Sequence, residues 1–192
     1  MRHLPILVGL AVAGSVALSP STAVAADSVA VTGNVHHPKS LTTAELNAMP
    51  QRSKEVAVGL GAERASHTFK GALLYDVVTA AGPSVDPKVK GDLQRFVITV
   101  VGADGYAAAL AWGEIDPKLE NKAVLLATSE DGEPLAHPML VVPFDTEGGR
   151  YVDNVVRVDV SRPDLGGGKQ HGSKSKKPRA KHGARPIPHG KR

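Results

Sequence analysis

The sequence predicts an α+β fold dominated by a mixed or antiparallel sheet. Six to eight short stretches carry strand patterning, and only two carry clear helical periodicity, both early in the chain. Helix and strand patterns do not alternate regularly, as a doubly wound parallel sheet would require. The 192 residues include no cysteine, so neither disulfides nor thiolate metal sites support the fold and a hydrophobic core must.

Taken in order, residues 28–32 (SVAVT) alternate and predict a first strand, closed by Gly33-Asn34. Residues 42–45 (TTAE) form a capping box ahead of Leu46 and Met49, predicting a short helix that stops before Pro50. Residues 54–60 (KEVAVGL) alternate as a second strand. A polar loop follows over 61–66, and 67–71 (HTFKG) is a short extended piece. Leu73, Leu74, Val77, Val78 and Ala81 line one face of an amphipathic helix, with Gly82 at its C′ position and Pro83 preventing continuation. Residues 84–91 are a charged loop.

The run 96–101 (FVITVV) reads as a central strand buried on both faces. It ends at Gly102, Asp104-Gly105 is a two-residue turn signal, and 106–110 form the returning strand. Residues 112–117 (WGEIDP) suggest a helical turn, and 122–127 (KAVLLA) another strand. Glu130-Asp131-Gly132-Glu133 is a turn. Residues 139–142 (MLVV) form a short buried strand, 146–150 turn the chain, and 151–160 alternate. Val152, Val156, Val158 and Val160 are expected in the core, with a bulge at Val155, where strict alternation breaks.

Three regions are expected. Residues 1–26 have the features of a Sec-type signal peptide: a short basic start, an apolar run over 4–18 and the small-residue pattern Ala23-Val24-Ala25. No Arg-Arg pair marks a twin-arginine signal. The expected location is secreted, periplasmic or at the cell envelope. Residues 27–165 form the folded body. They hold all 19 acidic residues and 13 basic ones. Residues 166–192 hold nine Lys and Arg, no acid and one large apolar residue, Ile187. Such a segment cannot bury enough surface to offset its conformational entropy, so a disordered basic tail is expected. Its charge suits an anionic polymer or membrane surface. Without interleaved aromatics it predicts no specific nucleic-acid recognition.

Known catalytic motifs are missing. There is no G-x-S-x-G elbow, and the glycines at 59, 61 and 71 make no phosphate loop. His36 and His37 are possible metal ligands together with His67, but neighbouring residues on an extended segment face opposite sides. Asp104 is suited to shaping its own turn through an Asx bond. Tyr106 and Trp112 either line a cleft or pack in the core. Arg150 either binds an anion or pairs with an acid.

The order of the pieces VAVTGNV, LTTAELNAMP, HTFKGALLYDVVTAAG, FVITVVGADGYAAALAWGEIDP, KAVLLATSEDGEPL, MLVVPFD and GRYVDNVVRVDV resembles the molybdopterin-binding domain of the sulfite-oxidase type, in a short stand-alone form. The resemblance spans about residues 28–160. It implies a β-rich mixed-sheet domain, oxygen-transfer chemistry in the full enzymes, and a molybdenum held by a pterin dithiolene and one cysteine thiolate. That cysteine is expected on the loop after KEVAVGL, which here reads GLGAERASH. A basic residue that the family often carries near the position of Met139 is also missing from HPMLVVP. The resemblance places a pocket at His67, Gly102, Asp104, Gly105, Tyr106 and Arg150, with no catalytic residue and no metal ligand among them. Molybdopterin is the one cofactor it implies. The missing thiolate argues against catalysis and for binding of a small ligand or an envelope protein. The alternatives are an oxidoreductase holding the pterin without cysteine and a polyanion-binding protein acting through the tail.

Overall fold

The computed structural model describes residues 28–58, 65–145 and 147–164. The expected signal segment, the loop 59–64 and the basic tail lie outside them.

Two sheets make up the body. The first has five strands in the order β2-β1-β9-β5-β6: β1 Ser28–Gly33, β2 Lys39–Thr42, β5 Val97–Gly102, β6 Ala107–Ala111 and β9 Val155–Ser161. The second has four, in the order β3-β4-β7-β8: β3 Gln51–Val58, β4 Ala65–Leu73, β7 Leu125–Glu130 and β8 Glu133–Val141. All pairings are antiparallel except β1 with β9. The α+β class is therefore as the sequence predicts, but the strands divide between two sheets.

Helix α1, Thr43–Ala48, starts with the predicted capping box: Thr42 Oγ1 accepts from the Glu45 amide, and Glu45 accepts from the Thr42 amide at 2.8 Å. Helix α2, Leu74–Ala81, buries Leu74, Val77, Val78 and Ala81. Gly82 closes it in the left-handed conformation at φ 69°. The Ala81 and Gly82 carbonyls at its end accept the amides of His37 and His36. A 3-10 turn, Asp92–Arg95, and helix α3, Trp112–Ile115, flank the β5–β6 hairpin.

The main core joins β1, β5, β6 and β9 to α2 and to the inner face of the second sheet, through Val29, Val31, Ile98, Val100, Leu110, Val158 and Val160 among others. Each such side chain contributes about 1.5–3 kcal/mol when fully buried. A smaller cluster, Val56, Phe69, Leu125, Ala127 and Val141, lies on the other face of the second sheet under Tyr151.

Four expectations need correction. Strand β5 alternates between buried and half-buried residues, because helix α2 and the core cover one face while the other is only partly covered. Residues 67–71 belong to the nine-residue β4, and 139–141 end the nine-residue β8, with Val142 just beyond it. The outer halves of both strands extend beyond the core as polar, exposed ladders, so hydrophobic patterning does not reveal them. Strand β2 has no sequence signal beyond its pairing with β1. The predicted bulge is present: Val101 faces Arg157 while Gly102 faces Val155. The skipped residue is Val156, so Val155 is buried and Val156 is not.

Gly71 sits where β4 crosses β7. A Cβ there would lie 2.0 Å from the Leu126 carbonyl oxygen and 2.6 Å from Ala127 Cα, both backbone atoms that cannot swing aside. Gly71→Ala is expected to lower stability by roughly 2–4 kcal/mol in urea unfolding, through strain on the β4–β7 ladder.

Candidate functional site

The loops at one end of the sheets are held by a carboxylate knot. Glu114, in the single turn of α3, accepts from the Ala111 amide at 3.1 Å through Oε1. Its Oε2 accepts from Lys122 Nζ and Arg150 Nη1, each at 2.8 Å. Arg150 also donates through Nε and Nη2 to the two oxygens of Asp145, at 2.8 and 2.6 Å. Burial alone would push the Glu114 carboxyl up, but donation from Lys122, Arg150 and Ala111 outweighs it and holds the group at about 2. Asp145 first, and then Glu114, hold the Arg150 guanidinium above its ordinary value. Of the two sequence readings of Arg150, the ion pair is the one observed.

The β5–β6 turn meets this knot. Asp104 Oδ1 accepts from the Tyr106 amide at 2.9 Å, the Asx bond expected of it. Gly105 adopts φ +86°. At Gly102 a Cβ would stand 2.7 Å from the Asp153 carbonyl oxygen, so the close backbone approach demands glycine. Tyr106 is 49% exposed, and its hydroxyl donates to the Gly149 carbonyl at 2.5 Å. Gly102, Asp104, Gly105 and Tyr106 are thus brought beside the loop that carries Arg150.

His67 is held elsewhere. It lies on β4, with Nδ1 at 2.9 Å from both Glu130 and Asp131 at the β7–β8 turn. His36 and His37 do not join this group. Trp112 packs in the core, donates to Asp116 at 2.8 Å and tilts against Tyr75.

A groove of about 330 Å³ runs beside β3, between Lys54, Glu55 and Val56 on one side and Phe144, Asp145 and Tyr151 on the other. Phe144 is 81% exposed at φ +72°, an uncommon backbone state for a bulky residue. The ion pair of its neighbour Asp145 with Arg150 braces that bend. Sequence reasoning missed Glu114, Asp145, Glu130 and Phe144 as site residues, because their roles come from how the loops fold rather than from any local pattern. The turn signal at Asp131-Gly132 was readable, but its histidine partner was not. A second, polar groove of about 260 Å³ lies between Asn47, Lys70 and Thr128.

The molybdopterin group implied by the resemblance can be tested against these donors. The chain supplies no thiolate for the metal. At the groove beside β3, Lys54 shares the lining with Glu55 and Asp145, and Arg150 is paired with the carboxylates of Asp145 and Glu114. A dianionic phosphate finds no surplus of positive charge there. The described residues do not fit the group.

No protein-family model matches the chain, and no curated protein matches it. Among solved structures, the fold is similar to that of the sulfane dehydrogenase SoxCD from Paracoccus pantotrophus, with a TM-score of 0.57 at 19% identity. The match covers 79% of this chain and 41% of that one, so this chain spans less than half of that neighbour. The class that the architecture defines is a distant sulfite-oxidase-like α+β fold, and at this identity the likeness concerns the fold alone.

Glu114 also gives the body an acid-sensitive joint. Its folded-state value lies below the ordinary 4.5, so its contribution to stability is complete above about 4.5 and is lost as pH falls toward about 2. Urea midpoints of the native protein and Glu114→Gln, followed from pH 7 to acid, are expected to differ at neutral pH and to converge over that window. A gap independent of pH would show that the charge on Glu114 does not hold the joint.

Proposed function

We propose that the chain is an exported, non-catalytic protein of sulfite-oxidase-like fold that binds a small ligand or a partner segment in the groove beside β3. The observation carrying this reading is the combination of an Arg150 paired with two carboxylates and an exposed Phe144 at that groove. A site kept for oxyanion chemistry would leave its guanidinium open to the substrate. Here the charges are paired with each other, and the surface offered to solvent is an aromatic ring beside Val56 and Tyr151. That lining favours a ligand with an apolar face over a free anion. The Gly102–Tyr106 turn is tied through Tyr106 to Gly149, two residues before Tyr151 of the groove, and β3 is followed by residues 59–64, which the resemblance assigns to the pocket. The basic tail, by its charge alone, supports tethering to an anionic envelope polymer or membrane surface.

Protein purified from its native host is expected to carry no stoichiometric molybdenum by elemental analysis, whereas one molybdenum per chain would overturn the reading. Phe144→Ala is expected to weaken capture of the native ligand at least about tenfold while leaving the urea midpoint within ~0.5 kcal/mol, as for an exposed side chain. Salt-dependent envelope retention is expected to be lost on deleting residues 166–192.

A further inference from the structure

Two carboxylates and one imidazole converge on the β7–β8 turn, away from the groove. His67 Nδ1 lies 2.9 Å from Glu130 Oε1 and 2.9 Å from Asp131 Oδ2. The donor atoms of all three residues lie within 4.8 Å of one another. Three separate features of the fold bring them together. His67 faces out of β4, whose register with β7 sets Phe69 opposite Glu130. Asp131-Gly132 forms the two-residue turn, with both residues at positive φ. The Thr68 amide holds Asp131 Oδ1 at 2.7 Å, and the Asp131 amide returns a bond to the Thr68 carbonyl at 2.8 Å. The Asp131 carboxylate is therefore fixed by one oxygen, and the other is directed at His67.

Among the described residues the charges in this arrangement do not balance. A single Nδ1 carries at most one proton and can donate one linear hydrogen bond, yet two carboxylate oxygens approach it equally. Glu133 stands directly opposite Glu130 across the hairpin, adding a third carboxylate to the turn. Among the described residues no lysine or arginine pairs with Glu130 or Asp131.

We infer that His67, Glu130 and Asp131 form a binding site for a divalent transition-metal ion of the zinc type, clamping β4 to the β7–β8 turn. One imidazole and two carboxylates are a donor set suited to such an ion, leaving further positions for water. With metal–ligand bonds of about 2.1 Å, neighbouring donors sit roughly 3–3.4 Å apart, so the two 2.9 Å separations from His67 Nδ1 need only a slight opening to admit the ion. The amide of Thr68 plays the outer-shell part, orienting the Asp131 ligand. Side-chain exposures of 32%, 34% and 52% leave the site open for an ion to enter from solvent. The site uses none of the residues that line the groove beside β3, so it stands or falls separately from the function proposed above.

Zinc chloride titrated into the full chain by calorimetry tests this, alongside Glu130→Gln and His67→Gln, with amide chemical shifts recorded at each step. The expected result is a saturable site of roughly one ion per chain, with shifts centred on Thr68, Glu130, Asp131 and Gly132. Each variant should lose at least about tenfold in affinity at that site, with an unchanged circular dichroism spectrum. The inference is overturned if zinc moves only the amides near His36, His37 or the tail histidines, or if both variants bind as the native chain does.

Discussion

Strand β9 comes last in the folded body yet sits in the middle of its sheet, with β1 parallel on one side and β5 antiparallel on the other. The first strand therefore has no long inner neighbour until the last has been placed. Val155, Val158 and Val160 complete the core that Val29, Val31, Ile98 and Val100 begin. The β1–β9 pairing brings together residues more than a hundred positions apart, so its loop-closure cost precedes any gain. The bulge that skips Val156 lets β9 bend as it leaves the loop carrying Arg150. The register of the central sheet and the placement of the groove loop are thus one event.

Without disulfides, the ends of the chain's excursions are tied by buried or half-buried carboxylates. Asp92 is fully enclosed, and accepts from the Asp86 amide, Arg95 and Arg162, binding the β4–β5 connection to the segment after β9. Glu114 ties α3 to Lys122 and Arg150. Asp116 takes the Trp112 indole and the Lys118 amide. Each carboxylate collects several donors, the condition under which a desolvated charge is tolerated, and removing one partner strands the rest. These knots specify loop geometry more than they add net stability.

That same use of charge shapes the loops at the groove. A guanidinium locked between Asp145 and Glu114 is part of the framework, and a chain without sulfur nucleophiles has no thiolate to give a metal. What the loops hold outward is Phe144, with an imidazole–carboxylate cluster on the adjoining hairpin. A fold does not by itself fix what its loops do, because the core and the loops draw on different residues.

Local patterns were enough to find the capping box at Thr42, the amphipathic face of α2, the left-handed stop at Gly82, the β5–β6 turn and the break at Val155, since each depends on residues within one or two turns of chain. The order of those pieces was also enough to give the fold class. The outer half of β4, strand β2, the division into two sheets and every partner of His67 and Arg150 were not legible. Those features arise from backbone ladders and ion pairs whose geometry no local periodicity encodes. Composition by itself settled that no thiolate exists here. Only the tertiary structure decided that the remaining charges neutralise one another at the groove and gather unbalanced at the Asp131 turn, because a charge's role depends on which charges the fold sets within a few ångströms of it.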